Sequence, residues 1–194
     1  MDTPASAASA PTRANSLPLI LLGAVVVVGA VFVLSGSTVM PNDWYALFKA
    51  IHVAVAVIWV GGGVMLTVDG IRAKREDDPA NVVGVAQRAA FWGEKVFAPA
   101  GLVVFLMGIA MMINTNWGWS RFWVVAGLIG YASTFITGIG VLSPLAKKIG
   151  ASAQANGPDH PATIALIERI LLIAMIDVSV LLLVILDMVT KPFA

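Results

Sequence analysis

WYALFKAIHVAVAVIWVGGG, residues 44–63, is the stretch that decides the fold. It is apolar almost throughout, and with residues 64–68 it exceeds the ~18 apolar residues that mark a membrane-spanning helix. It also carries a lysine and a histidine. Residues three, four and seven apart share a helix face, so Tyr45, Lys49, His52, Ala56, Trp59 and Gly63 form one stripe. Ionisable groups in hydrocarbon are costly and by default mark functional positions, which makes Lys49 and His52 the first candidates for a site.

The composition around this stretch agrees with it. Of 194 residues, 59% are hydrophobic and only 12% are charged, against about a quarter in soluble domains. A multi-pass membrane protein follows, with the lipid bilayer as its first partner. The net charge of +1 argues against nucleic acid as a partner. The chain has no cysteine, which excludes disulfides, thiolate catalysis, iron–sulfur ligation and cysteine-bound haem.

Residues 1–16, rich in Ala, Ser, Thr and Pro, read as a disordered tail. The apolar run at 17–34 is longer than the ~7–15 residues of a signal-peptide core, so a retained first helix is expected. The expected fold is all-α and polytopic, one bundle of five transmembrane helices at about 17–36, 44–68, 96–113, 122–142 and 168–190. Residues 69–78 form a charged loop. Asp78-Pro79 reads as a capped helix start, leading into an amphipathic piece that lies on the membrane surface or runs on into the third span. Pro99 predicts a kink near the start of that span. Trp117, Trp119 and Trp123 look like an interfacial aromatic belt. Ala126, Gly130, Thr134 and Gly138, four apart, offer a small-residue stripe for close helix packing. Residues 143–161 are polar and turn-rich. No internal repeat or second domain is evident.

Lys and Arg set the expected orientation. Arg72, Lys74, Arg75, Arg88 and Lys95 fall between the second and third spans, and Lys147, Lys148 and Arg169 between the fourth and fifth. Only Arg121 and Lys191 lie opposite. The amino terminus is therefore expected in the cytoplasm and the carboxyl terminus outside, in a bacterial inner membrane.

Depth follows from the helical rise of ~1.5 Å per residue. Counted from the outer helix ends, Lys49 lies about 8 Å deep, His52 about 12 Å, Met107 about 10 Å, Tyr131 about 15 Å, Asp187 about 6 Å and Asp177 about 21 Å. Depth alone permits a cluster of Lys49, His52, Met107, Tyr131 and Asp187, with Asp177 beneath it. His52 can be a metal or haem ligand, a proton carrier or a structural hydrogen-bonding residue. Lys49 can snorkel, pair with Asp187 or hold an anion such as a haem propionate. Met107, Met111 and Met112 can pack, or can offer thioether to Cu(I) or haem iron. Asp177 can relay protons or bond to Tyr131 or Thr134. Gly61-Gly62-Gly63 reads as a close-packing element, and His160 as a solvated turn residue. There is no Ser/His/Asp set, HExxH or nucleotide motif.

Trp44-x4-Lys49-Ala50-x-His52-x6-Trp59-x-Gly61-Gly62 resembles a motif in a loose group of bacterial membrane proteins. The group includes the copper-resistance protein D family, the J-type membrane protoporphyrinogen oxidases and a family of small integral proteins of unknown function. Length and helix count look most like the last. Glu94, Lys95, Pro99 and Gly108 fit the same pattern, and the resemblance covers about residues 43–142. The oxidase likeness implies haem binding at His52, while the lysine which that family needs in a later helix has no match; Arg121 is the nearest basic residue. The copper likeness implies copper handling in the membrane.

These readings lead to a haem- or redox-associated membrane module, with His52 as the expected ligand of a haem b, the second ligand being Met107, Met111, a group from a partner subunit or none, and Lys49 and Tyr131 nearby; copper or no cofactor is the alternative. The alternatives are Cu(I) or proton handling through His52, Met107, Met111 and Asp177, and a non-catalytic accessory subunit of a homo-oligomer or larger membrane complex.

Overall fold

The computed structural model describes residues 44–115 and 117–193. The expected tail at 1–16 and first span at 17–36 lie outside the described residues. Among the described residues four helices are long and apolar enough to cross a membrane: α1 Tyr45–Arg75, α2 Pro79–Thr115, α3 Phe122–Asn156 and α4 Pro161–Thr190.

These helices run past the expected boundaries. At 30 to 37 residues each they are about 45–55 Å long, against a hydrocarbon core of ~30 Å. The charged stretch after residue 68, expected as a loop, continues α1 to Arg75. Arg72, Lys74 and Arg75 occupy its last turn, where positive charge meets the negative end of the helix dipole. The segment expected on the surface or fused to the third span takes the second form, so α2 begins at Pro79 rather than near 96. Asp78 caps it, its carboxylate accepting from the Asn81 N–H at 3.0 Å, with Pro79 in the first turn. The polar stretch after Leu142, expected as a loop, is helical to Asn156. It is rich in Ala, Lys and Gln, good helix formers that need no lipid. Gly157 ends it at φ 96°, a conformation only glycine adopts cheaply. His160, expected as a solvated turn residue, caps α4, with Nδ1 accepting from the Ala162 N–H at 3.3 Å. Hence α4 begins at Pro161, as the proline predicts, ahead of the expected span at 168–190.

Pro99 and Pro144 sit inside α2 and α3. An interior proline supplies no N–H, and its ring collides with the carbonyl four residues back. In each case the helix answers with one π turn just upstream, Gly93–Phe97 and Gly138–Leu142. The wide bonds run from the Ala98 N–H to the Gly93 carbonyl and from the Ser143 N–H to the Gly138 carbonyl. The distortion expected at Pro99 is thus a π turn, and α3 carries a second one. The two turns are neighbours. Glu94 and Lys147 form an ion pair beside them, and Ser143 Oγ donates to Glu94 Oε1 at 3.4 Å.

The bundle has two storeys. At the charged end, Ala73, Val82, Val83, Val85, Ala86, Leu145, Ala146, Ile149, Ile167, Ile170 and Leu171 form a core drawn from all four helices. Ile149 and Thr163 are fully buried. Thr163 Oγ1 lies 2.7 Å from Ser152 Oγ and donates to the Gly157 carbonyl at 3.1 Å, tying α3 to α4. Arg72–Glu76 and Lys74–Glu168 lie on its surface at 2.8 and 3.0 Å. Exposed pairs contribute little. Lys74→Met is therefore expected to shift stability by less than about 1 kcal/mol, as read from thermal melts in detergent.

The other storey has apolar side chains pointing outward. Val57, Met65, Ile129 and Ile136 are each 66% exposed, as suits a surface solvated by lipid tails. Its helices meet through small residues. A Cβ added at Gly130 would overlap Val184 of α4, and one at Gly127 would overlap Met188. The small-residue contact of α3 thus runs through Gly127 and Gly130, whereas a Cβ at Gly138 would meet nothing within 4 Å. Backbones approach closely between α1 and α2, α3 and α4, and α1 and α4; α2 and α3 approach through their charged-end segments.

Candidate functional site

Two cavities lie between the helices. The first, at the aromatic end, measures about 290 Å³. The second, toward the charged end, measures about 140 Å³. Trp59 and Leu181 border both. The rings of Trp59, Phe105, Tyr131 and Phe135 form the partition: Tyr131 stacks between Phe105 and Phe135 at 5.2 and 5.4 Å, and Trp59 meets Tyr131 edge-on at 5.7 Å. Tyr131 Oη donates to the Gly101 carbonyl at 3.2 Å, which locks this layer to α2.

The stripe that the sequence places on α1 faces inward from His52 to Gly63, while Lys49 is exposed. His52, Ala56 and Trp59 line the first cavity, and Trp59, Gly63 and Thr67 the second. His52 Nδ1 lies 2.8 Å from the Val104 carbonyl of α2. A carbonyl only accepts, so Nδ1 carries the proton and, in the neutral ring, Nε2 keeps its lone pair. Gly108 makes room for the imidazole, because a Cβ there would stand 3.4 Å from His52 Cε1. Gly108→Val is expected to push the ring off the Val104 carbonyl and cost that hydrogen bond, about 0.5–1.5 kcal/mol net, as read from thermal melts of the variant and wild type in detergent.

Met111 and Met112 share the wall with His52, as do Tyr131, Trp117 and Trp123, and Met107 is not among the lining residues. Val104, Gly108, Met111 and Met112 follow an i, i+4, i+7, i+8 pattern. Met107, at i+3, fits the same face, so periodicity leaves both methionines open and the packing of the helices puts Met112 in the wall. Val53 and Val57 of α1 and Ile185 and Val189 of α4 also line the cavity and are well exposed. Among the described residues the cavity therefore opens sideways between α1 and α4.

Of the alternatives open to Lys49, the ion pair with Asp187 does not form among the described residues. Lys49 is exposed, its ammonium 5.8 Å from the Tyr45 ring. Asp187 turns toward α3, where its Oδ2 is buried without a hydrogen-bond partner among the described residues; it would stand 3.4 Å from a Cβ at Gly127. Equal depth brought the two to one level, but rotation about the helix axes sends them to different neighbours. The cation near Lys49 is Lys191, beyond the end of α4. Burial and the charge of Lys49 hold its pKa below the ordinary lysine value. Lys191 Nζ lies 3.7 Å from the Trp117 ring centre and 5.1 Å from that of Trp123.

Asp177 borders the second cavity with Thr67, Thr134 and Ser143. Neither partner foreseen for it is engaged with it. Tyr131 bonds to Gly101, and Thr134 donates its hydroxyl to the Gly130 and Tyr131 carbonyls at 3.2 and 3.0 Å. Among the described residues no three His, Cys, Asp or Glu side chains gather as a metal site.

Long apolar helices with outward-facing aliphatic side chains, enclosing a histidine and an aspartate, define a polytopic helical membrane protein. The chain belongs to the family described as predicted integral membrane protein (DUF2269), whose family model matches residues 46–192. No curated protein and no solved structure matches it. The family description names no activity, so the chemistry rests on the geometry of the site.

Proposed function

We propose that the protein binds a redox-active metal cofactor within the bilayer, haem b being the group its aromatic-end cavity suits, with His52 Nε2 as ligand. The hydrogen bond from His52 Nδ1 to the Val104 carbonyl carries this reading. It sets the tautomer and orientation that metal-bound histidines have, and it spends the other nitrogen on the backbone. The donor set fits. Imidazole and thioether both suit haem iron, and Met111 or Met112, on the same wall as His52, would supply the second donor. The lining is otherwise apolar and aromatic, the surroundings that a macrocycle's faces need. Lys49, one turn from His52, and Lys191 over Trp117 supply positive charge at the same end for carboxylate groups. When bound, haem supplies one-electron chemistry. The protein's own part is to orient the imidazole, exclude water with the aromatic layer and hold the anionic edge.

A visible absorption spectrum tests this. A Soret band is expected in protein purified from haem-replete cells or after adding haemin, and a protein with neither sinks the reading. The adjacent Met111 and Met112 favour Cu(I) as the second reading; bound copper by elemental analysis, with no Soret band, selects it. The lysine and arginine asymmetry supports placing the charged storey in the cytoplasm of a bacterial cell and the aromatic end outside. Cysteine-accessibility labelling at residues 76 and 118 checks this.

A further inference from the structure

We propose that Asp177 is a reversible proton-binding site, supplied with water from the charged end and closed off from the His52 cavity. Four observations place it there. First, Asp177 lines the second cavity and has no hydrogen-bond partner among the described residues, although three hydroxyl side chains share that wall. A carboxylate there is expensive in the absence of donors, and a carboxylic acid there needs only one acceptor. Second, the cavity reaches the charged end. Gly93 and Ser143 line it at the two π turns, and Ser143 leads on to Glu94 and its partner Lys147. Third, each π turn precedes a proline without an N–H, which leaves backbone carbonyl capacity near the cavity for water. Fourth, the layer of Trp59, Tyr131 and Phe135 stands between this cavity and His52.

Among the described residues Asp177 is the one titratable side chain that lines this cavity; α1 contributes Trp59, Gly63, Leu66, Thr67 and Gly70, and the ion pair of Glu94 with Lys147 lies beyond Ser143. The exchange is simple: the carboxylate of Asp177 takes one proton from water entering past Ser143 and returns it by the same route. The proposal does not depend on a cofactor at His52.

The test uses the full chain in lipid nanodiscs with dicyclohexylcarbodiimide, which adds to protonated carboxyl groups in apolar surroundings. A single adduct mapped to Asp177 by mass spectrometry is expected, declining as pH rises, lost in Asp177→Asn and retained in Asp187→Asn. The infrared band of a protonated carboxyl should likewise vanish in Asp177→Asn and shift when the protein is moved into D2O. Gly138→Leu keeps the aspartate and fills the entry, since a Cβ at Gly138 meets nothing within 4 Å. It should retain the adduct but exchange the infrared band at least five-fold more slowly. An unlabelled wild type, a label that survives Asp177→Asn, or Gly138→Leu exchanging as fast as wild type each overturns the proposal.

Discussion

The proposed haem site predicts that His52→Ala abolishes the Soret band while the protein still purifies as a folded helical membrane protein. The two effects differ in size for a physical reason. In the absence of ligand, the imidazole makes one hydrogen bond to the Val104 carbonyl, worth about 0.5–1.5 kcal/mol net. It sits against Gly108 in a cavity that is open on one side, so little packing is lost with it. The proposed ligation, in contrast, has no other imidazole to use: the second histidine, His160, caps α4 at the charged end. Spectra and thermal melts of the same preparation separate the two. A Soret band of unchanged position and intensity in His52→Ala would remove His52 from the site. Met111→Leu and Met112→Leu are the companion measurements, and the variant whose band shifts identifies the opposite ligand.

Ile149→Asp is expected to have the largest effect on stability. Ile149 is 0% exposed at the centre of the charged-end core. Truncating a buried isoleucine to alanine already costs ~2–5 kcal/mol through lost transfer energy and cavity formation. An aspartate adds the cost of burying a carboxyl without a partner. The ion pairs of this storey lie on its surface, so none is placed to neutralise it. The damage should be local at first. The apolar halves of the helices are held by lipid, whereas the charged-end halves depend on this core. Protease should therefore cut residues 143–160 in Ile149→Asp under conditions that spare wild type, and the thermal transition in detergent should fall by well over 10 °C. Ile149→Val, which loses one methylene, should melt close to wild type. If Ile149→Asp were as protease-resistant as wild type, the charged-end core would not be what holds these segments.

Much of this architecture is legible in the chain because lipid imposes a one-dimensional rule. Every spanning segment must be apolar and helical, so the four described spans announce themselves by composition. Asp78-Pro79 marks the start of α2 for an equally local reason, a side-chain oxygen on an orphan N–H. The helix ends are less legible, because residues 69–75 and 143–156 are charged or polar, and polarity there marks the end of the membrane and not the end of the helix. Outside the bilayer a helix is free to continue, and here it does so because the continued segments bury Ala73, Leu145 and Ile149 against one another.

The residues of the candidate site divide the same way. The inward stripe on α1, with His52 and Trp59 on it, follows from helical periodicity alone, as does the depth of Asp177. What each faces does not. Val104 as the partner of His52, Met112 as a member of its wall, and the parting of Lys49 from Asp187 were settled by rotation about the helix axes. That rotation is fixed by close contacts such as Gly130 with Val184 and Gly108 with His52. Sequence by itself determined which segments lie in lipid and which of their faces turn inward, because solvation acts on each helix separately. Only the tertiary structure decided which inward groups meet, because that depends on how neighbouring helices interlock.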